Sequence, residues 1–172
     1  MREIYLLRHA KSSWAEPAVD DFDRPLAKRG IKACKKIARY LGDAAIQPDL
    51  ILCSAARRTR ETLELVQEAF KPGTEVAIES GLYLAGARKL LNRIRKLPDA
   101  VGSVMLIGHN PGTQELAMLL TGSGDLATVQ AMLAKFPTAG LAVLRTSAER
   151  WADLQIETGE LIRFVYPKAL AD

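Results

Sequence analysis

Three short stretches of the chain set groups able to bind or attack an anion directly after an apolar run. Arg8-His9 follows Ile4-Tyr5-Leu6-Leu7, Ser54-Ala55-Ala56-Arg57-Arg58 follows Leu50-Ile51-Leu52-Cys53, and Gly108-His109 follows Val104-Met105-Leu106-Ile107. The chain has only two histidines, and both stand at such a boundary. Two imidazoles with two or three arginines and no adjoining carboxylate suit a phosphate. Guanidinium offers a fixed fork of donors that matches phosphate oxygens and stays charged at any working pH. A neutral imidazole can attack phosphorus through one nitrogen, provided the other keeps its proton and is held, as a backbone carbonyl at a strand end could hold it. No third ligand stands at a spacing typical of a metal site, so no metal or other cofactor is expected.

For these groups to meet, the segments that carry them must lie side by side. Residues 4–7, 50–53 and 104–107 read as short buried strands, and residues 75–78 as a further strand. Between them Ile31, Cys34, Ile37, Ala38 and Leu41 recur at helical spacing before Gly42. Leu63, Val66 and Phe70 define a second helix stopped by Pro72-Gly73, and Leu90, Leu91, Ile94 and Leu97 a third ended by Pro98. Leu116, Met118, Leu119 and Leu120 suggest a fourth, with Asn110 as N-cap and Pro111 at its first position; its N-terminus would add backbone donors for an anion. Residues 141–144 and 161–166 look like two more strands that pair antiparallel. Strands alternating with helices predict an α/β fold, a three-layer sandwich with a mostly parallel central sheet flanked by helices, and residues 1–172 as a single domain. Strand carboxyl ends then share one edge of the sheet, where ligands sit in such folds.

Composition narrows the function classes. Apolar residues are 48% and charged residues 26% of the 172, an ordinary globular balance with no run able to span a bilayer and no secretion signal expected. Two cysteines, Cys34 and Cys53, make no disulfide framework, which points to a reducing cytoplasm. The net charge is +4, and basic residues cluster at Arg57, Arg58 and Arg60 and again at Arg88, Lys89, Arg93, Arg95 and Lys96. Aromatics, at 6%, do not interleave with these basic runs, so neither nucleic acid nor membrane is an expected partner.

The stretches LLRHAKSSW, DFDRPLAKRG, SAARRTRET and LIGHNPG, in this order, resemble the histidine phosphatase superfamily, whose fold is phosphoglycerate-mutase-like. Within it they are most similar to the short SixA-type phosphohistidine phosphatases. The resemblance implies that His9 is the nucleophile that becomes phosphorylated and that Arg8 binds phosphate. The family's serine-x-x-x-arginine pattern with a threonine four residues on picks out Ser54, Arg58 and Thr62, making Arg58 rather than Arg57 the second phosphate arginine. His109 matches the second histidine, which contacts the transferring group. Ala10 stands where many members have glycine. Lys11, Ser12 and Trp14, close behind the nucleophile, and Ser54 are candidate substrate-binding residues, with surface-loop and packing roles as the alternative for the first three.

An acid is missing. Members that cleave alkyl phosphates carry a glutamate shortly after the third strand, where this chain has Leu84; the nearest carboxylate there is Glu79. The conjugate acid of an imidazole leaving group has a pKa of about 6.5, so expelling imidazole needs far less help than expelling an alkoxide. The expected substrate is therefore a phosphohistidine-bearing protein, with inorganic phosphate as product. Asp20, Asp21, Asp23 or Glu16 could still supply a proton. The competing functions are a broad small-molecule phosphomonoesterase of the same superfamily and a non-catalytic phosphate-binding regulatory module. A mutase would need an enclosed pocket and an acid. A cysteine-dependent phosphatase fails on spacing, because the sixth residue after Cys53 is Thr59 and the loop lacks glycine. Asp23-Arg24-Pro25-Leu26 reads as a structural lead-in in which the proline and leucine fix the entry to the first helix; Asp23 could cap that helix, or Arg24 could bind a product carboxylate.

Overall fold

Alternation along β1 (Arg2–Arg8) sorts the interior into two layers. Ile4 and Leu6 point to one face of the sheet and Tyr5 and Leu7 to the other, each joining a separate buried cluster. The same division runs through β2 (Leu50–Ser54), where Leu50 and Leu52 face opposite to Ile51 and Cys53, and through β4 (Ser103–Gly108). Strands buried on both faces read as unbroken apolar runs, the pattern of a parallel sheet covered by helices. The computed structural model describes residues 1–171.

With β3 (Glu75–Glu79), β5 (Thr121–Gly124), β6 (Leu141–Thr146) and β7 (Gly159–Val165), these strands form one seven-stranded sheet in the order β3-β2-β4-β1-β6-β7-β5. Pairing is parallel from β3 through β1, antiparallel on both sides of β6, and parallel again between β7 and β5. The layer beneath Tyr5, Leu7 and Ile51 is closed by α1 (Lys28–Asp43) and α2 (Arg57–Val66), through Cys34, Ile37, Leu41, Leu63 and Val66. The opposite layer is closed by α3 (Ala87–Arg95), α4 (Gly112–Leu120) and α5 (Leu126–Ala134). This is the expected three-layer α/β sandwich, and the late strands β6 and β7 pair antiparallel as expected.

Some local expectations are corrected. The second helix ends at Val66 and passes through a 3-10 turn (Gln67–Ala69), so Phe70 packs from beyond it. Asp23 caps nothing: α1 begins after Ala27, and Asp23 lies in a separate 3-10 turn, Asp21–Asp23. Pro111 follows a cis peptide bond and precedes α4 rather than opening it, although the Asn110 side chain still accepts the Gln114 N–H at 3.2 Å. Strand β5 and helix α5 were not anticipated. Among the described residues no helix is long and apolar enough to cross a membrane.

Candidate active site

Register brings the two histidines together. Arg8 pairs with Gly108 across the parallel β1–β4 ladder, and the His9 N–H donates to the Gly108 carbonyl at 3.0 Å. His9 and His109, each the next residue after its strand, thus face one another with ring centroids 5.3 Å apart. Antiparallel β6 closes the other side: the Arg8 N–H donates to the Gly140 carbonyl and the Ala139 N–H to the His9 carbonyl, both at 3.0 Å. The main chain on both sides of the His9 side chain is therefore fixed by neighbouring strand ends.

The side chain of His9 is equally constrained. Its Nδ1–H donates to the Ala10 carbonyl at 2.7 Å, which leaves Nε2 without a hydrogen bond among the described residues and its lone pair free. The Ala10 N–H donates in turn to Thr62 Oγ1 at 3.0 Å, while the Thr62 hydroxyl donates to the Arg58 carbonyl one helical turn back. One face of α2 therefore secures both the His9-Ala10 segment and Arg58. Gly30 serves the same loop from α1, because a Cβ there would clash with the carbonyl of Lys11. Burial, foremost, pushes the His9 imidazole down to about 3, with His109, Arg58 and Arg8 acting in the same direction. Burial and Arg58 bring His109 to about 4. Both rings are neutral at physiological pH.

Arg58, only 3% exposed, lies inward, while Arg57 lies on the surface and pairs with Glu61 at 3.0 Å. Arg58 donates through Nη1 to the Asp21 carbonyl at 2.7 Å and pairs through Nη2 with its carboxylate at 3.0 Å. Arg8 donates through Nη1 to the Phe136 carbonyl at 2.9 Å. Each guanidinium is thus anchored at its end, with Nε left over. Arg8 Nε, Arg58 Nε and His109 Nδ1 are the three buried side-chain nitrogens or oxygens without a hydrogen-bond partner among the described residues. Buried polar atoms are rarely left so. All three belong to side chains that act electrostatically on one another or on His9.

Asp21, in the sequence no more than a possible proton source, is the hub of the polar network. Its carboxylate accepts the Tyr83 hydroxyl and pairs with Arg58 and with Arg24. The Tyr83 hydroxyl, then Arg58, hold it down at about 2, so it stays ionised. The Tyr83 ring meets His109 edge-on at 5.4 Å. Glu79 is also committed, accepting both forks of Arg93 at 2.8 and 2.7 Å, and Arg93 holds its carboxyl below the usual range. Leu84, which follows Tyr83, has φ of 51° and is 55% exposed. Gly112 lets this segment approach α4, since a Cβ there would meet the Ala85 carbonyl. The α4 N-terminus itself offers less than expected: its Thr113 N–H is taken by the His109 carbonyl and its Gln114 N–H by Asn110.

Of the remaining candidates, Ser54 is fully buried with its hydroxyl 2.8 Å from Nε2 of His109. Ser12 is buried and accepts from Arg24 at 2.8 Å. Trp14 is 70% exposed, with the Arg24 guanidinium 3.4 Å above its ring, and Lys11 is exposed nearby in sequence. Arg24 is the brace of this loop, joining Asp21, Ser12, the Ser13 carbonyl and Trp14. Among the described residues no group of three or more His, Cys, Asp or Glu side chains is placed to hold a metal ion.

Residues 4–83 match the family model of the histidine phosphatase superfamily, branch 1. An uncharacterised protein of Mycobacterium leprae is 34% identical over 168 residues, covering 94% of this chain and the whole of that protein. A solved structure assigned as the phosphohistidine phosphatase SixA of Agrobacterium tumefaciens is 34% identical, covering 96% of this chain and 98% of that one, with a TM-score of 0.79. A second, assigned the same way from Nakamurella multipartitia, is 27% identical over 96% of both chains, with a TM-score of 0.82.

Proposed function

This chain belongs to the histidine phosphatase superfamily, and on that premise we propose that it hydrolyses phosphohistidine carried on another protein, through a phosphorylated His9. The observation that carries this reading is the set of three buried nitrogens without protein partners, Arg8 Nε, Arg58 Nε and His109 Nδ1, beside the free Nε2 of His9. A phosphoryl group in flight spreads its charge over three equatorial oxygens, and pre-aimed donors in a dry site stabilise that charge without reorganising.

Nε2 of His9 forms a bond to phosphorus as the bond from phosphorus to the substrate imidazole breaks. The substrate imidazole, protonated on its other nitrogen, departs as a neutral ring that keeps the electron pair of the broken bond. Water then attacks the phosphorylated His9, the new P–N bond breaks, and inorganic phosphate leaves with the water's oxygen while Nε2 recovers its lone pair. During both steps the Ala10 carbonyl holds the Nδ1 proton and stabilises the charge on the ring. Arg8, Arg58 and His109 supply the charge compensation, and the reaction is proposed to need no metal.

The carboxylates near the site support an imidazole leaving group. Asp21 is ionised and held by Tyr83, Arg58 and Arg24, and Glu79 is held by Arg93, so neither stores a proton at neutral pH. An alkoxide would need such a proton; an imidazole does not. Trp14, exposed yet fixed against Arg24, offers a rigid aromatic face of the kind protein interfaces use. Cys34 and Cys53 are both free and buried, in keeping with a reducing cytoplasm as the proposed setting. The test is phosphate release from a protein-bound phosphohistidine beside an alkyl phosphomonoester at equal concentration, with a chelator present and His9→Ala as control. Strong preference for phosphohistidine, lost in the variant, is expected; preference for the alkyl ester, or activity that survives in His9→Ala, overturns the reading.

A further inference from the structure

A neutral imidazole carries one proton, and the two histidines here use it in opposite ways. His9 must present a bare nitrogen, and the Ala10 carbonyl ensures this by taking the proton's side at Nδ1. His109 must instead present a proton, because a lone pair aimed at a phosphoryl oxygen would repel it. Nothing on the main chain makes that choice for His109: its Nδ1 is the buried orphan, and Nε2 has Ser54 Oγ as its partner at 2.8 Å.

Ser54 has what the choice requires. Its hydroxyl is fully buried and already accepts, at 3.4 Å, the N–H of Ala56. Its own hydrogen has a single acceptor within reach among the described residues, Nε2 of His109. If that hydrogen is donated, Nε2 is the acceptor and the imidazole proton sits on Nδ1, leaving one orphan donor beside the Arg8 and Arg58 orphans. If Nε2–H donated instead, two buried groups would be stranded, the serine hydrogen and a bare Nδ1. Stranding buried polar groups is disfavoured, so the first arrangement prevails. Burial and Arg58 keep the ring from escaping the choice by taking a second proton.

We infer that Ser54 is a positioning residue that sets the tautomer of His109, holding its proton on Nδ1 so that the ring meets the phosphoryl group as a donor. This deepens, and rests on, the phosphoryl-transfer reading above. Both histidines are then the same tautomer, turned in opposite senses: one shows the substrate its lone pair and the other its N–H. Ser54, Arg58 and Thr62 also gain one common task. Ser54 orients His109, Arg58 supplies a donor, and Thr62 ties down the Ala10 amide beside the nucleophile.

The test uses the fact that the chain has only two histidines. Long-range 1H–15N spectra of the untagged, labelled protein near neutral pH report which nitrogen of each ring is protonated. Nδ1–H on both rings is expected in the native chain. Ser54→Ala should move His109 partly or wholly to Nε2–H and slow phosphate release by about 10- to 100-fold, less than or comparable to removing one donor outright. Ser54→Thr, which keeps the hydroxyl, should restore both. The inference is overturned if native His109 carries its proton on Nε2, or if Ser54→Ala keeps the Nδ1 proton and its rate. The native spectrum decides even if Ser54→Ala does not fold. Should the native protein release no phosphate, the functional reading fails while the tautomer is still read independently.

Discussion

Acidification should destabilise this protein through its two histidines before its carboxylates protonate. An unfolded histidine titrates near 6.5, whereas burial takes folded His9 to about 3 and His109 to about 4. Between those limits the unfolded chain binds more protons than the folded one, so stability is complete above about pH 7 and falls as pH drops below about 6.5. At pH 5 nearly one proton per histidine separates the two states. Each ring then costs about 2 kcal/mol relative to pH 8, together about 4 kcal/mol, against a typical total stability of about 5–15 kcal/mol. Asp21, held at about 2, adds loss only as pH falls below about 4. The assay is urea unfolding at a series of pH values, with the linked proton uptake taken from the slope. About two protons are expected near pH 5, falling by about one in His9→Asn and by about one in His109→Asn. A stability flat from pH 7 to 5, with folded histidines titrating near 6.5, would refute the reasoning, because it would mean charged imidazoles in a wet site and no standing nucleophile.

Three further outcomes follow from particular contacts. Asp21→Asn leaves Arg58 buried beside Arg8 without its counter-charge; since Asp21 is itself partly exposed, a loss of about 1–2 kcal/mol is expected, with kcat down about tenfold. Chemical denaturation and steady-state kinetics check this, and an unchanged kcat would mean that Arg58 needs no anchor. Gly112→Ala forces the segment at Ala85 away from α4 and Tyr83 from His109, at a cost of about 1–3 kcal/mol and some activity; an unaltered melting temperature contradicts the close approach. Trp14→Ala should change stability by about 1 kcal/mol or less, yet raise KM about fivefold or more for a protein-borne phosphohistidine, and leave a small phosphoramidate unaffected. Equal effects on both substrates would remove Trp14 from partner recognition.

The strands that build the site were legible because they are buried on both faces and read as unbroken apolar runs, each followed at once by a polar residue. What could not be read was register. That Arg8 stands opposite Gly108 decides that His9 and His109 meet, and no local pattern encodes it. The choice between Arg57 and Arg58 came from the family pattern; its physical basis is that Arg58 and Thr62, one turn apart, share the inward face of α2. Asp21 was legible only as a possible proton source, and Tyr83 not at all, because their roles exist only through contacts across 37 and 62 residues of chain. The anchor of Arg8 is a backbone carbonyl, at Phe136, and carbonyls leave no mark on a sequence. Helix α5 was missed because Leu126 and Leu133 are exposed and Met132 alone is buried, so no helical period shows; β5, reading Thr-Gly-Ser-Gly, holds little that favours a strand.

The most direct test of the central claim is to trap the enzyme in mid-reaction. The native chain is mixed with a labelled phosphohistidine protein, quenched in alkali within one turnover, and the label mapped by peptide. A base-stable, acid-labile phosphoryl group on Nε2 of His9, absent from His9→Ala, is the expected result. Turnover without label on His9, or label on another residue, would contradict a covalent mechanism at this histidine.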